Sequence, residues 1–160
     1  MRVFFLRHGK AVSRAEWQGD DSARPLTPEG EVAMRREAET MRGMDLGLDA
    51  IVTSPLVRAR QTADIVAAGL GMAGGVVEDE CLAHGLDARR LAELVAAHAS
   101  AEALMVVGHE PDFSATVSEL IGGGTVVFKK GGLARVDLTA PEPGGGQLLW
   151  LLTPPLLGSG

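Results

Sequence analysis

The sequence predicts an α/β fold: a three-layer α/β/α sandwich, with a mostly parallel central sheet and an antiparallel C-terminal edge hairpin. Short, uninterrupted apolar runs are typical of strands covered on both faces. Segments with helical periodicity separate these runs, which favours crossover helices. At 160 residues, with 46% hydrophobic and 22% charged residues, the chain has ordinary globular composition, and we expect a single domain over residues 1–160.

Three apolar runs are predicted to form central parallel strands. They are VFFL at 3–6, AIVT at 50–53 and ALMVV at 103–107. Each run is continuous rather than alternating, so both faces of the strand are expected to be buried.

Helix signals lie between and after these runs. Thr27-Pro28 and Ser54-Pro55 each place an N-cap hydroxyl before a proline at the first helical position. The first helix is predicted to run to about Arg42, and the second to the glycines at 69 and 71. Two further helices are predicted at 87–98 and from Pro111 to the glycines at 122–124.

The C-terminal part changes to a hairpin pattern. LARVDL at 133–138 alternates between two faces, and the apolar segment QLLWLL follows at 147–152. The glycine-rich PEPGGG segment joins them, which predicts a terminal hairpin at the sheet edge.

Net charge and cysteine content exclude several classes of protein. The formal charge is −6, so we expect no nucleic-acid partner. Four apolar residues before Arg7 are too few for a signal peptide, and Pro154-Pro155 interrupts the last apolar stretch, so we expect no membrane association. The single cysteine, Cys81, excludes an internal disulfide and suits a reducing, cytoplasmic compartment.

Cationic side chains follow three of the predicted strands. Arg7-His8-Gly9 ends the first strand, Arg58 lies just after the second, and His109 follows the third. The carboxyl ends of parallel strands meet at one edge of a sheet, where ligands bind. We therefore expect two arginines and two histidines to form an anion site there. Solvated charges at a strand end would be the alternative for Arg7 and His8 alone.

A phosphoryl group is the anion that best fits these residues. Guanidinium groups bind its oxygens in bidentate geometry, which suits Arg7 and Arg58. A neutral imidazole is a competent nucleophile, so His8 could attack phosphorus and form a covalent phosphoenzyme. Gly9 would let the backbone approach the ligand. His109 is expected to act as an imidazolium that stabilises developing charge, which implies a bell-shaped pH profile.

No metal or other cofactor is expected. His84 lies in a glycine-containing loop and His98 near the end of a predicted helix. Neither belongs to a motif with metal-ligand spacing.

Four motifs in order give the chain a family resemblance: LRHGKA, RPLTPEG, TSPLVRARQTA and VGHEP. Together they resemble the histidine phosphatase superfamily, which is phosphoglycerate mutase-like, and in particular its short, bacterial SixA-type phosphohistidine phosphatases. The resemblance extends from residue 2 to about 138. It implies a three-layer α/β/α fold, phosphorylation of His8, phosphate binding by Arg7, Arg58 and His109, and no metal.

Larger members of this superfamily carry a carboxylic general acid, and the corresponding segment here offers only Glu78, Asp79 and Glu80. Glu80 is the best candidate, with a solvated loop carboxylate as the alternative. Without an acid, a phosphoramidate substrate is favoured, because its leaving nitrogen is easily protonated.

Three functions therefore remain open. The first is a phosphohistidine phosphatase that acts on a signalling or phosphotransfer protein. The second is a phosphomonoesterase for a sugar or nucleotide phosphate, and the third is a phosphoprotein-binding module without turnover. Trp17 could contact substrate or merely cover the fold. Lys129-Lys130 could attract an acidic partner or form a solvated turn.

Overall fold

The computed structural model describes residues 1–72 and 75–158. In chain order its strands and longer helices are β1 (Arg2–Arg7), α1 (Pro28–Gly43), β2 (Ala50–Thr53), α2 (Val57–Leu70), β3 (Val76–Glu78), α3 (Ala88–Ala97), β4 (Ala103–Gly108), α4 (Asp112–Leu120), β5 (Leu133–Leu138) and β6 (Gly146–Leu152).

The strands form one mixed sheet in the order β3-β2-β4-β1-β5-β6. β1, β2, β3 and β4 pair in parallel, whereas β5 pairs antiparallel with both β1 and β6. The α/β class, the mixed sheet and the antiparallel edge hairpin are therefore confirmed.

Apolar side chains of the sheet enter two separate clusters. Val3 and Phe5 of β1 pack in a cluster with side chains of α3 and α4. Phe4 and Leu6 pack in a second cluster with side chains of α1 and α2. Successive side chains of a strand point to opposite faces, so the uninterrupted run VFFL is buried on both.

Helix ends follow the sequence signals with one exception. The Thr27 side chain accepts a hydrogen bond from the Gly30 N–H and caps α1, which has Pro28 in its first turn. α2, however, begins at Val57, and its N-cap, Leu56, makes no side-chain capping bond. Ser54, predicted as that cap, lies in the candidate site described below. β3 was not predicted, because three residues are too few to show a periodic pattern.

None of the helices in the described ranges is both long enough and apolar enough to span a membrane.

Candidate active site

The ends of β1, β4 and β2 lie side by side. Arg7 is in register with Gly108, and Thr53 with Val107. Just past these ends, the His8 N–H donates to Gly108 O at 3.0 Å and the Ser54 N–H donates to Val107 O at 2.9 Å. Parallel register therefore brings Arg7-His8, Ser54 and His109 to one edge of the sheet.

His8 is 6% exposed and has a fixed ring orientation. Its Nδ1 lies 2.7 Å from the carbonyl oxygen of Gly9. A carbonyl can only accept, so Nδ1 carries the hydrogen and Nε2 keeps its lone pair. Burial lowers the pKa of His8 to about 3, and the charges of Arg58, Arg7 and Lys130 act in the same direction. The folded protein thus favours a neutral imidazole whose unprotonated nitrogen is Nε2.

His109 lies beside His8, with 5.1 Å between the ring centroids. Its Nε2 is 2.8 Å from the Ser54 hydroxyl oxygen, which also accepts the Leu56 N–H at 3.2 Å. Burial lowers the pKa of His109 to about 3, with smaller contributions from His8 and Arg58. His109 therefore favours the neutral form, which differs from the imidazolium expected from the sequence, because burial disfavours a second charge.

Asp21 holds Arg58 in place. The Arg58 guanidinium donates to the Asp21 backbone carbonyl at 2.9 Å and to its carboxylate at 3.1 Å. The same carboxylate accepts from the Arg24 Nε at 2.9 Å. Arg58 is 3% exposed and Arg24 is 7% exposed. One carboxylate thus orients two buried guanidinium groups.

Arg7 is held by the segment that precedes β5. Its guanidinium donates to Phe128 O at 2.8 Å, and the Gly131 N–H lies 3.1 Å from both Arg7 O and His8 O. Burial lowers the pKa of Arg7, and the charge of Glu110 opposes that shift. The segment around Phe128 and Gly131 therefore packs directly against the end of β1.

Three buried side-chain nitrogens at this edge have no hydrogen-bond partner among residues 1–72 and 75–158. They are Arg7 Nε, Arg58 Nε and His109 Nδ1. Buried polar groups are normally paired. Nitrogens contributed by three separate segments are therefore left available for an acceptor.

Gly9 has a packing role that the sequence did not indicate. A Cβ at this position would lie 2.7 Å from Met34 Cγ, so any larger residue would collide with α1. The Gly9 N–H donates to the Thr62 hydroxyl at 3.1 Å. The phosphate contact expected of Gly9 stays a prediction.

Other residues singled out in the sequence lie around the site or away from it. Glu80 is exposed, and no hydrogen bond or ion pair within the described ranges connects it to the site. Trp17 lines a cavity of about 290 Å³ with Arg14, Asp21 and Arg24, next to the Arg58 anchor. Lys130 is close enough for its charge to act on His8, and Lys129 is exposed.

Metal and thiol chemistry find little support in the described residues. No group of three or more potential His, Cys, Asp or Glu ligands is placed there to hold a metal ion. Burial raises the pKa of Cys81 to about 12, with Asp79 acting in the same direction, which makes its thiol a poor nucleophile.

Sequence reasoning missed three contributors to the site: Asp21, Arg24 and Ser54 in its contact with His109. Arg24 belongs to the RPLT motif and Ser54 to the TSP motif, so the motifs marked the positions without indicating their roles. Asp21 lies in a polar stretch with no periodic signal. Its role depends on the fold bringing residues 21 and 58 together.

Comparisons with known proteins agree with this geometry. The sequence profile of the histidine phosphatase superfamily (branch 1) matches residues 3–84. The chain is 31% identical to phosphohistidine phosphatase SixA of Escherichia coli, over 96% of this chain and 94% of SixA. It is 38% identical to an uncharacterized protein of Picosynechococcus, over 97% of both chains.

A solved structure of the protein histidine phosphatase SixA with tungstate superimposes with a TM-score of 0.86 at 28% identity, covering 98% of this chain and 99% of that one. Fold, strand-end residues and sequence matches lead to one conclusion: the chain belongs to the histidine phosphatase superfamily.

Proposed function

We propose that this protein is a phosphatase that hydrolyses phosphohistidine on a signalling or phosphotransfer protein. His8 is the nucleophile, Arg7, Arg58 and His109 bind the phosphoryl group, and the reaction needs no metal ion. The observation that carries the proposal is the set of three buried, unpartnered nitrogens on Arg7, Arg58 and His109. The ring of His109 lies 5.1 Å from that of His8, and the charges of Arg58 and Arg7 act on His8, so these nitrogens are donors near the nucleophile for an oxyanion.

The reaction follows from the tautomer of His8. The Nε2 lone pair attacks phosphorus, an Nε2–P bond forms, and the bond from phosphorus to the substrate's imidazole nitrogen breaks. The electron pair of that bond stays on the leaving group, which takes up a proton. Water then attacks the phosphorylated His8, the P–Nε2 bond breaks, and a proton is released with inorganic phosphate. Throughout the reaction, His8 Nδ1 keeps its hydrogen and donates it to the Gly9 carbonyl.

His109 acts as a neutral donor in this proposal. The Leu56 N–H occupies one lone pair of the Ser54 hydroxyl, which leaves the hydroxyl hydrogen free to point at His109 Nε2. Nδ1 then carries the ring hydrogen and can donate it to a phosphoryl oxygen. Donors already fixed in position stabilise charge that develops in the transition state.

The relatives support the substrate class. SixA of Escherichia coli is named a phosphohistidine phosphatase, and the SixA structure was solved with tungstate, a tetrahedral oxyanion. Local positive charge is also available for an anionic partner. Lys10 is exposed on the segment that follows His8, and the 80% exposed side chain of Arg14 lies there too, 3.5 Å from the Asp21 carboxylate, although the whole chain carries a charge of −6.

Trapping of the phosphoenzyme tests the proposal. The protein is mixed briefly with a histidine-phosphorylated phosphotransfer domain carrying ³²P, quenched in alkali and mapped. We expect an acid-labile label on His8, release of inorganic phosphate that EDTA leaves unchanged, and neither label nor turnover in His8→Ala. His98→Ala, at the end of α3, is the matched control.

Two outcomes would contradict the proposal. Binding of the phosphorylated domain with no label and no phosphate release would indicate a phosphoprotein-binding module. A strong preference for sugar or nucleotide phosphates over the phosphorylated domain would indicate a small-molecule phosphomonoesterase.

A further inference from the structure

A third imidazole lies beside the two buried ones. The ring of His84 is 6.5 Å from that of His109 between centroids, with 28° between the ring planes. His84 is exposed, whereas His8 and His109 are each 6% exposed. The charge of His84 also contributes to the lowered pKa of His109. The histidines thus form a series from the nucleophile outward to solvent.

The loop that carries His84 is fixed to the loop that carries His109. The Gly85 N–H donates to the Asp112 carboxylate at 2.7 Å, and the Leu86 N–H donates to the same oxygen at 3.3 Å. Asp112 is the first residue of α4 and follows His109 closely in the chain. Arg90 donates to the His84 backbone carbonyl at 2.9 Å. His84 is therefore held in a defined position next to the site.

Three nearby carboxylates are engaged elsewhere, and Glu80 is exposed with no hydrogen bond or ion pair to the site within the described ranges. Glu78 forms an ion pair with Arg60 at 2.9 Å, and the Asp79 side chain accepts the Cys81 N–H at 2.8 Å. Both carboxylate oxygens of Glu110 accept hydrogen bonds from Ser114. An imidazole at the exposed side of the site, by contrast, can exchange protons with water and pass one to a bound group.

We infer that His84 is the proton donor to the leaving group, and that it extends the substrate class to phosphate monoesters. The inference rests on the proposed phosphatase activity. As the Nε2–P bond forms at His8, the P–O bond of an ester breaks and its electron pair stays on the leaving oxygen. The protonated ring of His84 gives an N–H proton to that oxygen and becomes neutral. In the second step, neutral His84 takes a proton from the attacking water and is restored.

Two aryl phosphates separate proton donation from a structural role. Phenyl phosphate has a basic leaving group that needs a proton, whereas 2,4-dinitrophenyl phosphate has an acidic one that departs unaided. In His84→Gln we expect kcat/KM for phenyl phosphate to fall about a hundredfold, the usual scale of general acid catalysis. The kcat/KM for the dinitrophenyl ester, which reports only the steps through phosphorylation of His8 and not the later attack by water, should stay within about twofold and also reports correct folding. His98→Gln is the matched control and should alter neither substrate.

Each other outcome overturns the inference. If kcat/KM of His84→Gln fell equally for both esters, His84 would act only through the structure. If kcat/KM fell for neither ester, His84 would take no part in the reaction. A wild-type enzyme that turns over the phosphorylated domain and the dinitrophenyl ester, but not phenyl phosphate, would leave the proposed function standing and remove the proton donor. Absence of turnover on all three would instead refute the proposed function.

Discussion

The guanidinium of Arg58 donates to Asp21 at two points, to its backbone carbonyl at 2.9 Å and to its carboxylate at 3.1 Å. Asp21 follows Asp20 in a polar segment between β1 and α1, whereas Arg58 belongs to the first turn of α2. The segment before α1 therefore positions Arg58, a candidate phosphate-binding residue on α2.

Replacement of this carboxylate should impair catalysis more than folding. In Asp21→Asn the backbone contact to Arg58 remains, but the ion pairs of Asp21 with Arg58, Arg24 and Arg14 are lost. We expect kcat/KM for the phosphorylated domain to fall roughly tenfold, because a small displacement of a positioning group is costly. Steady-state kinetics measure the effect. Asp20→Asn is the control, since Asp20 caps the short helix at Asp21–Ala23, and Asn caps equally well. Equal rates in the two variants would contradict this role.

The close approach of Gly9 to Met34 predicts that a side chain at position 9 will lower the stability of the protein. In Gly9→Ala the new Cβ would lie 2.7 Å from Met34 Cγ and 3.0 Å from its Sδ. We expect the free energy of unfolding to fall by about 1–3 kcal/mol, as for other overpacked sites. Urea unfolding measures the change.

Gly43→Ala is the control, because a side chain fits at that position without a collision. A Cβ there meets nothing within 4 Å, and the position ends α1, so alanine should raise stability by up to about 1 kcal/mol. A Gly9→Ala variant as stable as wild type would show that Met34 moves aside freely. Loss of turnover in that variant would then point to the predicted phosphate contact of Gly9.

The two buried histidines predict a pH dependence of stability. In the unfolded chain an imidazole takes up a proton near pH 6.5, whereas the folded pKa of both His8 and His109 is about 3. The unfolded state therefore binds more protons between these values. Stability should fall as pH is lowered through this window, by at most about 1.4 kcal/mol per pH unit for each histidine.

Urea unfolding between about pH 7 and about pH 5, above the range in which carboxylates titrate, isolates this effect. His8→Gln and His109→Gln should each reduce the slope, and His98→Gln should leave it unchanged. A flat dependence in wild type would show that the two imidazoles are readily protonated in the fold. The measurement requires phosphate-free buffer, because an anion bound at the site would favour the protonated forms.

The charge of Lys130 is expected to contribute to catalysis, and this contribution should depend on salt concentration. Its charge acts on His8, and burial and the neighbouring Arg7 lower its own pKa. In Lys130→Gln we expect kcat/KM to fall about threefold at low salt, with the difference diminishing toward about 1 M salt as charges are screened. Lys129→Gln is the matched control from the adjacent position. Equal losses in both variants would indicate a general surface effect rather than a charge at the site.

Much of the fold could be predicted because its signals are local. VFFL at 3–6 had to be a strand covered on both faces, and Thr27-Pro28 had to begin a helix. The convergence of Arg7, His8, Arg58 and His109 followed from one topological rule about parallel strands. The roles proposed for these residues rest on their types and stay predictions, whereas their protonation states depend on burial in the folded surroundings, which the sequence does not indicate.

The remaining features depend on contacts between distant segments. Asp21 reaches Arg58 across 37 residues of chain, and Phe128 accepts from Arg7 across 121. No periodicity marks such residues. His84 was considered only as a metal ligand, since its position beside His109 depends on the hydrogen bonds from its loop to Asp112. Ser54 was interpreted as a helix cap because Ser-Pro is a typical helix start, and its hydroxyl instead contacts His109.

The place of β1 in the sheet has a consequence for biosynthesis. β1 leaves the ribosome well before its two neighbours, β4 and β5, which begin at Ala103 and Leu133. The apolar residues of β1, which precede His8, therefore stay unpaired until β4 and β5 have been translated. Such late, long-range pairing slows folding and exposes nascent chains to aggregation. The nascent protein should therefore depend on chaperones until β5 has emerged.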